Sequence, residues 1–306
     1  EVDMVFCAKP ECQSSQSAPD EQDQRGDCVA IGDRNLWFHD AQLVLDGEPG
    51  GAPDQNRDEV EDRIIHLADN SDMNQGLLIL PVVAPALFWA AYHYYKDRDL
   101  PEPPGNLLLC FVLGILAAGL SKAMYVGLEP LGLRFDAVAL AADNNGPALF
   151  AYAMLAIGPI EELAKMIPFL LVVVRFKAFD DPMDGIIYAS FIALGYAAVE
   201  NYHYLDFLTT AESFARGFAG PVIHIVFASI WAHWIARALL DGKSAVRPAF
   251  IGFVLAAGLH GFYDFLVLRH AVLALPIAAA LIATIWVWRL RLMQDMHEQA
   301  SKSSDR

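Results

Sequence analysis

Acidic, basic and imidazole side chains interrupt four of the long apolar stretches of this 306-residue chain. A charged side chain at the centre of a membrane-spanning helix costs about 2.5–3.5 kcal/mol, so such residues usually face the bundle interior and serve a function. The first group is Glu161, Glu162 and Lys165. Lys165 can pair with either glutamate at i,i+4 or i,i+3. The two adjacent glutamates diverge by about 100° on a helix, so we expect them to have different roles.

The second group lies near the end of the next apolar stretch. Tyr196 and Glu200 are one helical turn apart and share a face, and Asn201 offers both a donor and an acceptor to a neighbouring carboxylate. Taken alone, a Glu-Asn pair near a membrane boundary is weak evidence for a site.

The third and fourth groups contain histidine. His224 stands alone early in its stretch, and a lone histidine in a helix is more often packed than a ligand. His260 and Asp264 are four residues apart and therefore share one stripe of a helix. That spacing suits an aspartate that holds a histidine tautomer, or two ligands of one metal ion.

The elements that must position these groups are membrane-spanning helices. Hydrophobic residues make up 55% of the chain, and its mean hydropathy is +0.33. From residue 77 onward, apolar stretches of about 20 residues recur, and each is long enough to cross about 30 Å of hydrocarbon. We therefore predict an all-α, polytopic transmembrane bundle of about seven spans. These are Leu77–Tyr95, Leu107–Val126, Pro147–Val174, Gly185–Tyr204, Gly220–Leu240, Pro248–Leu268 and Ala271–Leu290. Between the second and third, Leu131–Gly146 is expected to form an interfacial or re-entrant piece.

Most of the negative charge lies outside this part of the chain. Residues 1–76 hold 18 acidic and 5 basic residues, whereas the whole chain has a formal net charge of −16. We predict an acidic extramembrane region over residues 1–76, small or partly disordered, then a transmembrane domain over 77–290 and a polar tail over 291–306. The acidic balance and the absence of a Lys/Arg cluster exclude nucleic acid as the partner, because phosphate binding needs a basic surface.

The cysteines leave several interpretations open. Cys110 lies in an apolar run, whereas Cys7, Cys12 and Cys28 lie in the acidic region, with His39 further on. The three could form an irregular metal cluster with His39, or one disulfide and a free thiol, or have no role. Neither C-x2-C pair of a zinc ribbon is present.

Lysine and arginine counts predict the orientation. With seven spans, eleven basic residues fall on the side of the first, third and fifth loops and the C-terminus, among them Arg289, and only Arg134, Arg216 and Arg269 fall on the other. The positive-inside rule then places the C-terminus in the cytoplasm and the N-terminus outside. The cell membrane of a bacterial-type cell is the expected location.

Taken together and in this order, the four groups resemble the PrsW family of intramembrane proteases, within the wider clan of type II CAAX prenyl proteases. The resemblance covers about Pro147–Leu268. It rests on an EExxK element, a Glu-Asn element, a lone histidine and an HxxxD element on successive apolar stretches. The one departure is Tyr196, where the family more usually has phenylalanine. Residues 1–76 match no family pattern, so no role is carried over to them.

The resemblance implies an intramembrane endopeptidase, and two mechanisms are open. In the first, His224 and His260 bind Zn²⁺ together with one or two of Glu161, Glu162 and Glu200, the ion activates a water, and a remaining glutamate acts as base. We choose Glu161 and Glu200 as ligands and Glu162 as base, but the sequence does not determine which of Glu161 and Glu162 has which role. In the second, two carboxylates act without metal, and Lys165 keeps one of them ionised. We favour the zinc mechanism, with Asp264 supporting His260 and with Lys165, Tyr196 and Asn201 as supporting residues.

The expected substrates are membrane-anchored proteins, such as single-pass anti-sigma factors, cut near the extracytoplasmic face. Two other classes of function compete with this hypothesis. A proton- or ion-coupled transporter could use the same Glu/His/Lys set as a relay, although no internal repeat supports it. A non-catalytic scaffold could use the buried polar groups to hold partner helices.

Overall fold

The computed structural model describes residues 79–98, 101–205, 208–269 and 274–304. Every regular element in these ranges is helical, which confirms the all-α prediction. The predictions for residues 1–76, including Cys7, Cys12 and Cys28, lie outside the described residues.

Nine α-helices follow one another along the described chain. They are α1 (Leu80–Lys96), α2 (Pro104–Leu128), α3 (Ala137–Ala142), α4 (Gly146–Tyr152), α5 (Gly158–Leu171), α6 (Pro182–Tyr204), α7 (Thr210–Leu240), α8 (Val246–Leu268) and α9 (Ala274–Ser304). A π-helical turn, Ala153–Ile157, joins α4 to α5, and 3-10 turns follow α2 at Glu129–Leu131 and α5 at Val173–Arg175.

Five of these segments are long and apolar enough to cross a membrane, so the chain is an integral membrane protein. They are Pro104–Leu131, Pro182–Tyr204, Thr210–Leu240, Val246–Leu268 and Ala274–Met296. The predicted count of about seven is not confirmed. The described part of the first predicted span is a 17-residue helix, α1, and the third is divided among α4, the π-helical turn and α5. The short helix α3 lies within the segment predicted to be interfacial.

The two central helices are α6 and α7. Most residues of α6 and α7 are buried, whereas α2, α8 and α9 keep largely exposed apolar faces, with Leu116 and Phe250 among their exposed side chains. The polar residues of α6 and α7 face the interior of the bundle rather than lipid. These two helices therefore carry much of the polar core.

The bounds of α7 and α9 differ most from the prediction. Helix α7 begins at Thr210, ten residues before the predicted Gly220, because Thr209 and Glu212 form a capping box that starts the helix in polar sequence. Helix α9 continues to Ser304, past the predicted boundary at residue 290. The early start of α7 adds Arg216 to the helical core.

Glycines allow the closest approach of α5 and α8. A Cβ at Gly158 would overlap the carbonyl oxygen of Ala257, and a Cβ at Gly261 would overlap the carbonyl oxygen of Ala153. The backbones therefore touch beside Glu161 and His260. The π-helical turn lies directly before Gly158, and such turns often occur at functional sites.

Candidate active site

Four helices bring the predicted site residues into one buried cluster. Helix α5 supplies Glu161, Glu162 and Lys165, α6 supplies Tyr196 and Glu200, α7 supplies His224, and α8 supplies His260 and Asp264. Glu162 and Lys165 are fully buried, and Glu161, His224 and His260 are each 5% exposed or less. Polar groups withdrawn from solvent to this extent need partners, and most of them find partners in one another.

Glu162 is the most heavily bonded carboxylate of the cluster. Its Oε1 accepts hydrogen bonds from Lys165 Nζ at 2.6 Å and from His260 Nδ1 at 2.7 Å. Its Oε2 accepts a hydrogen bond from Trp231 Nε1 at 2.9 Å. Three donors from three helices therefore fix Glu162 in place.

Glu161 is bonded much more weakly. Its nearest hydrogen-bond donor is the Tyr125 hydroxyl, at 3.5 Å from Oε1. Its Oε2 lies 3.9 Å from His224 Nδ1 and 3.7 Å from His260 Nε2. Glu161 thus faces one nitrogen of each imidazole without a close bond to either, so the adjacent glutamates have different environments, as the helix geometry predicted.

A carboxylate binds the other nitrogen of each imidazole. His224 Nε2 lies 2.5 Å from Glu200 Oε2, and His260 Nδ1 bonds to Glu162. The two rings lie edge to face with centroids 5.3 Å apart. If each carboxylate accepts an N–H, His224 Nδ1 and His260 Nε2 each keep a lone pair. Lys165 Nζ lies 3.2 Å from His224 Nδ1, and Asp264 Oδ2 lies 3.6 Å from His260 Nε2.

Asp264 lies beside His260 and has a carboxylate oxygen without a hydrogen-bond partner. Its Oδ2 lies 3.6 Å from His260 Nε2, one helical turn away as the HxxxD spacing predicted. The same Oδ2 is buried and has no hydrogen-bond partner. A buried carboxylate oxygen without a donor is costly, which marks this end of the cluster as a place for a proton or a cation.

Tyr196 and Asn201 take different positions. The Lys165 ammonium lies 5.0 Å from the centre of the Tyr196 ring, and the Tyr196 hydroxyl donates to Ser121 Oγ at 3.0 Å. Asn201 is buried against Gly220, where a Cβ would come within 3.1 Å of its Oδ1. Tyr196 therefore borders the cluster, and Asn201 helps to pack α6 against α7.

The sequence reasoning missed several residues of the site. Trp231 bonds to Glu162, Tyr125 approaches Glu161, and Arg216 bonds to Glu200. Trp231 and Tyr125 lie in apolar stretches, where aromatic side chains give no signal of their own. Arg216 was assigned to a loop because the sequence before Gly220 is polar, and the capping box at Thr209 was the signal that could have placed it on a helix.

A cavity of about 350 Å³, including its open mouth, reaches the cluster between α2 and α6. Glu161, Glu200 and Tyr196 line this cavity. Its other lining residues come from α2 and α6: Ala118, Ser121, Tyr125, Val199 and His203. The cavity has room for a water molecule beside Glu161.

Comparisons with known proteins identify one family. Residues 102–289 match the family model described as PrsW family intramembrane metalloprotease. The chain is 27% identical to a protein named Protease PrsW from Oceanobacillus iheyensis over 216 residues, which cover 71% of this chain and 94% of that protein. It is 29% identical over 191 residues to Protease PrsW from Geobacillus kaustophilus (62% of this chain and 80% of that protein), and 27% identical over 185 residues to that from Bacillus subtilis (60% and 79%).

No solved structure matches the chain. The family match extends over more than half of the chain and includes the four helices that build the cluster. The chain belongs to the PrsW family of intramembrane proteases.

Proposed function

We propose that the protein is an intramembrane endopeptidase that hydrolyses peptide bonds of membrane-anchored proteins at the Glu161, His224 and His260 cluster, with Zn²⁺ as cofactor. The position of Glu161 Oε2, between a nitrogen of His224 and a nitrogen of His260, carries the proposal. Two imidazoles and a carboxylate form one of the usual three-residue ligand sets of catalytic zinc sites. The family description as metalloproteases supports the same reading.

The dimensions of the cluster fit zinc. Tetrahedral ligands with bonds of about 2.0–2.1 Å lie about 3.4 Å from one another. The distances from Glu161 Oε2 to the two imidazole nitrogens, 3.9 and 3.7 Å, exceed that by a few tenths of an ångström. The three ligand atoms all lie within 4.8 Å of one another. Small side-chain movements would therefore complete a three-residue zinc site.

Glu200 supports the site rather than ligating the ion in this proposal. Metal-binding histidines almost always donate their other N–H to a carboxylate, a carbonyl or water. Glu200 accepts from His224 in this way, and Glu162 does the same for His260. The sequence favoured Glu200 as a ligand, but its two oxygens are bonded to His224 and to Arg216.

The structure also favours a proton acceptor other than Glu162. Glu162 was the expected base, yet its oxygens accept bonds from Lys165, His260 and Trp231. Asp264 has a buried oxygen without a partner beside His260. We therefore assign Asp264 to accept the proton of the attacking water and to return it to the leaving amine, while Glu162 holds His260 in its tautomer.

Bound Zn²⁺ would polarise the scissile carbonyl and lower the pKa of a water toward 7. The residues of the chain supply the rest. Glu161, His224 and His260 hold the ion, Glu162 and Glu200 orient the imidazoles, and the surrounding helices exclude bulk water, which strengthens each electrostatic contact.

The contact of Lys165 with His224 favours the metal-free mechanism as an alternative. Lys165 Nζ lies 3.2 Å from His224 Nδ1, the nitrogen that would bind zinc, while it also bonds to Glu162. Zinc binding requires Lys165 to give up the contact with His224. In the metal-free alternative Lys165 keeps it, and Glu161, the weakly bonded glutamate, acts as the base.

The cavity between α2 and α6 suggests how a substrate enters. It reaches Glu161 from the end of the bundle where α6 ends and α7 begins. A helical substrate hides its carbonyl groups in hydrogen bonds, so its chain must unwind before attack. Single-pass proteins such as anti-sigma factors, which can unwind near a membrane surface, fit this requirement.

The membrane topology is part of the proposal. We infer that α1 and the continuous helical stretch from α4 to α5 also cross the bilayer, which gives seven crossings. The cavity then opens toward the outside, where we place the N-terminus, with the C-terminus in the cytoplasm. Membership of the wider clan of type II CAAX prenyl proteases belongs to the same proposal.

Cleavage by purified protein in proteoliposomes tests the function. We expect a tagged single-pass substrate to be cut by the parent protein, and not by the Glu161→Gln or His260→Ala variants, and a chelator to stop the reaction until zinc is added back. Cleavage that survives chelation in zinc-free protein would favour the metal-free mechanism. Absence of cleavage, with ion-driven uptake or with tight binding of the intact substrate, would favour the transporter or the scaffold.

A further inference from the structure

Arg216 lies at the edge of the cluster and contacts it through one residue. It is on α7, eight residues before His224. Its Nη2 donates to Glu200 Oε1 at 2.6 Å, and the other oxygen of Glu200 lies 2.5 Å from His224 Nε2. A chain of two short contacts therefore runs from Arg216 through Glu200 to an imidazole of the cluster.

The guanidinium group is held from a second direction. Its central carbon lies 3.5 Å from the centre of the Tyr204 ring. Tyr204 is one turn after Glu200 on α6, so both partners of Arg216 lie on one face of that helix. A planar guanidinium that stacks on an aromatic ring and bonds to a carboxylate has little freedom to rotate.

The contact with Glu200 matters because an imidazole has two nitrogens. Only Nδ1 of His224 faces Glu161. Glu200 selects that nitrogen for ligation when it accepts the N–H of Nε2, and it can do so only while its carboxylate keeps its position. A flexible glutamate side chain holds one position poorly unless a second group binds its other oxygen.

We propose that Arg216 is a positioning residue for the metal site: clamped on Tyr204, it fixes Glu200 so that His224 presents Nδ1 to the ion. The inference rests on the proposed function, because it assigns Arg216 to the same zinc centre. A positioning role differs from that of a purely structural ion pair in one respect: the loss of Arg216 should change zinc affinity.

Another arginine-glutamate pair of the chain serves as a control. Arg134 Nη1 donates to Glu129 Oε2 at 2.8 Å, close to the distance of the Arg216 pair. The Glu129 side chain is 63% exposed, whereas that of Glu200 is 18% exposed. Exposed pairs of this kind contribute little, and Arg134 lies between α2 and α3, outside the four helices that build the cluster.

Zinc affinity of the purified full-length protein, measured by competition with a chromogenic chelator, tests the inference. We expect Arg216→Met to weaken zinc binding by about 10- to 100-fold, the usual effect of losing a supporting group at a metal site. Arg216→Lys should restore part of the affinity, because it keeps the charge but not the stacked plane. Arg134→Met should bind zinc like the parent.

A double variant tests whether Arg216 acts through Glu200. Arg216→Met combined with Glu200→Gln should bind zinc no more weakly than Glu200→Gln alone. Additive losses would show that Arg216 acts on the site independently and would overturn the inference. If Arg216→Met does not fold, Tyr204→Leu, which removes the ring but no charge, should weaken zinc binding by a few-fold. Parental affinity in that variant would equally count against the clamp.

Two further outcomes separate this inference from the proposed function. Parental zinc affinity in Arg216→Met, with a lower melting temperature for the zinc-free and zinc-loaded forms alike, would reduce Arg216 to a structural ion pair while leaving the protease intact. A parent protein that neither binds zinc nor cleaves substrate would remove the proposed function, and the positioning role with it.

Discussion

Two of the polar clusters that the bundle buries differ in the groups that they leave without a hydrogen-bond partner. The glutamate cluster consists of Glu161, Glu162, Glu200 and Asp264 with the lysine, arginine and imidazoles around them. The second, the Arg289 cluster, consists of Arg289, Ser190 and Ser229. Arg289 is fully buried and donates from Nε to Ser229 Oγ and from Nη2 to Ser190 Oγ, both at 2.9 Å. In the described part of the chain, no carboxylate bonds to Arg289.

The difference lies in what each cluster leaves unbonded. The glutamate cluster leaves Arg216 Nε without a partner and, in addition, carboxylate oxygens on Glu161 and Asp264 that can bind a cation or accept a proton. The Arg289 cluster leaves one guanidinium nitrogen, Nη1, which can do neither. Buried charge alone therefore does not identify a catalytic centre in a membrane protein. Spare acceptors beside imidazoles and a cavity are the more specific sign.

The largest expected effect separates chemistry from stability at Glu161. Glu161→Gln should lower the rate of substrate cleavage by about 10³-fold or more, because it removes the carboxylate that both mechanisms need. It should leave the melting temperature in detergent nearly unchanged, since Glu161 has only one long hydrogen bond to lose. Cleavage near the parental rate would show that the spare acceptors of the cluster are not used.

The next effect tests whether the cluster needs its close helix contact. Gly158→Ala places a methyl group against the carbonyl oxygen of Ala257 and should push α5 away from α8. We expect cleavage to fall at least about 10-fold and the protein to lose about 1–3 kcal/mol of stability, as in other overpacked sites. Gly119→Ala on α2 is the matched control, because a Cβ there has no atom within 4 Å. Equal behaviour of the two variants in both assays would contradict the packing argument.

The third prediction concerns the buried ion pair, where the expected loss is mainly one of stability. Lys165→Met leaves Glu162 without its ammonium partner and should cost about 3–5 kcal/mol in the free energy of unfolding. Cleavage should fall with stability, because Glu162 also holds His260. The double variant Lys165→Met/Glu162→Gln should recover part of the stability without recovering activity. A denaturant titration in detergent measures the stability of the two variants, and the substrate assay measures their activity. A double variant less stable than Lys165→Met would refute the pairing.

The smallest effect is expected in the Arg289 cluster. Arg289→Met removes a buried charge that has no carboxylate partner, while Ser190 and Ser229 keep their bonds to the carbonyl oxygens of Ile186 and Ile225. Replacement of a buried charge by an apolar side chain of similar volume is often neutral or stabilising. We expect parental cleavage within about threefold and a melting temperature that does not fall. A large loss of cleavage in a folded variant would show that the Arg289 cluster is also needed for activity, and would contradict the difference between the two clusters.

The sequence was sufficient for the helices and for most members of the site. Hydropathy placed the C-terminal ends of α6, α7 and α8 at the residues where the structure has them, and the spacing of His260 and Asp264 predicted their proximity. Charged residues are conspicuous in apolar stretches because lipid excludes them. Their convergence could therefore be expected from their types alone.

The roles of the residues could not be predicted in the same way. Which of Glu161 and Glu162 is bonded and which is spare depends on Trp231, 69 residues away in the chain. Arg216 and Arg289 were both counted as residues flanking the membrane or its loops, yet one joins the glutamate cluster and the other is fully buried. Each depends on contacts across helices, and a single sequence does not reveal those contacts.

X-ray absorption at the zinc edge of the purified protein tests the central claim most directly. We predict about one zinc per chain with nitrogen and oxygen ligands at about 2.0–2.1 Å, two of them imidazoles, and loss of one imidazole in the His260→Ala variant. Active protein without zinc, or zinc whose ligands are unchanged by His260→Ala, would contradict the claim that these residues form a zinc protease centre.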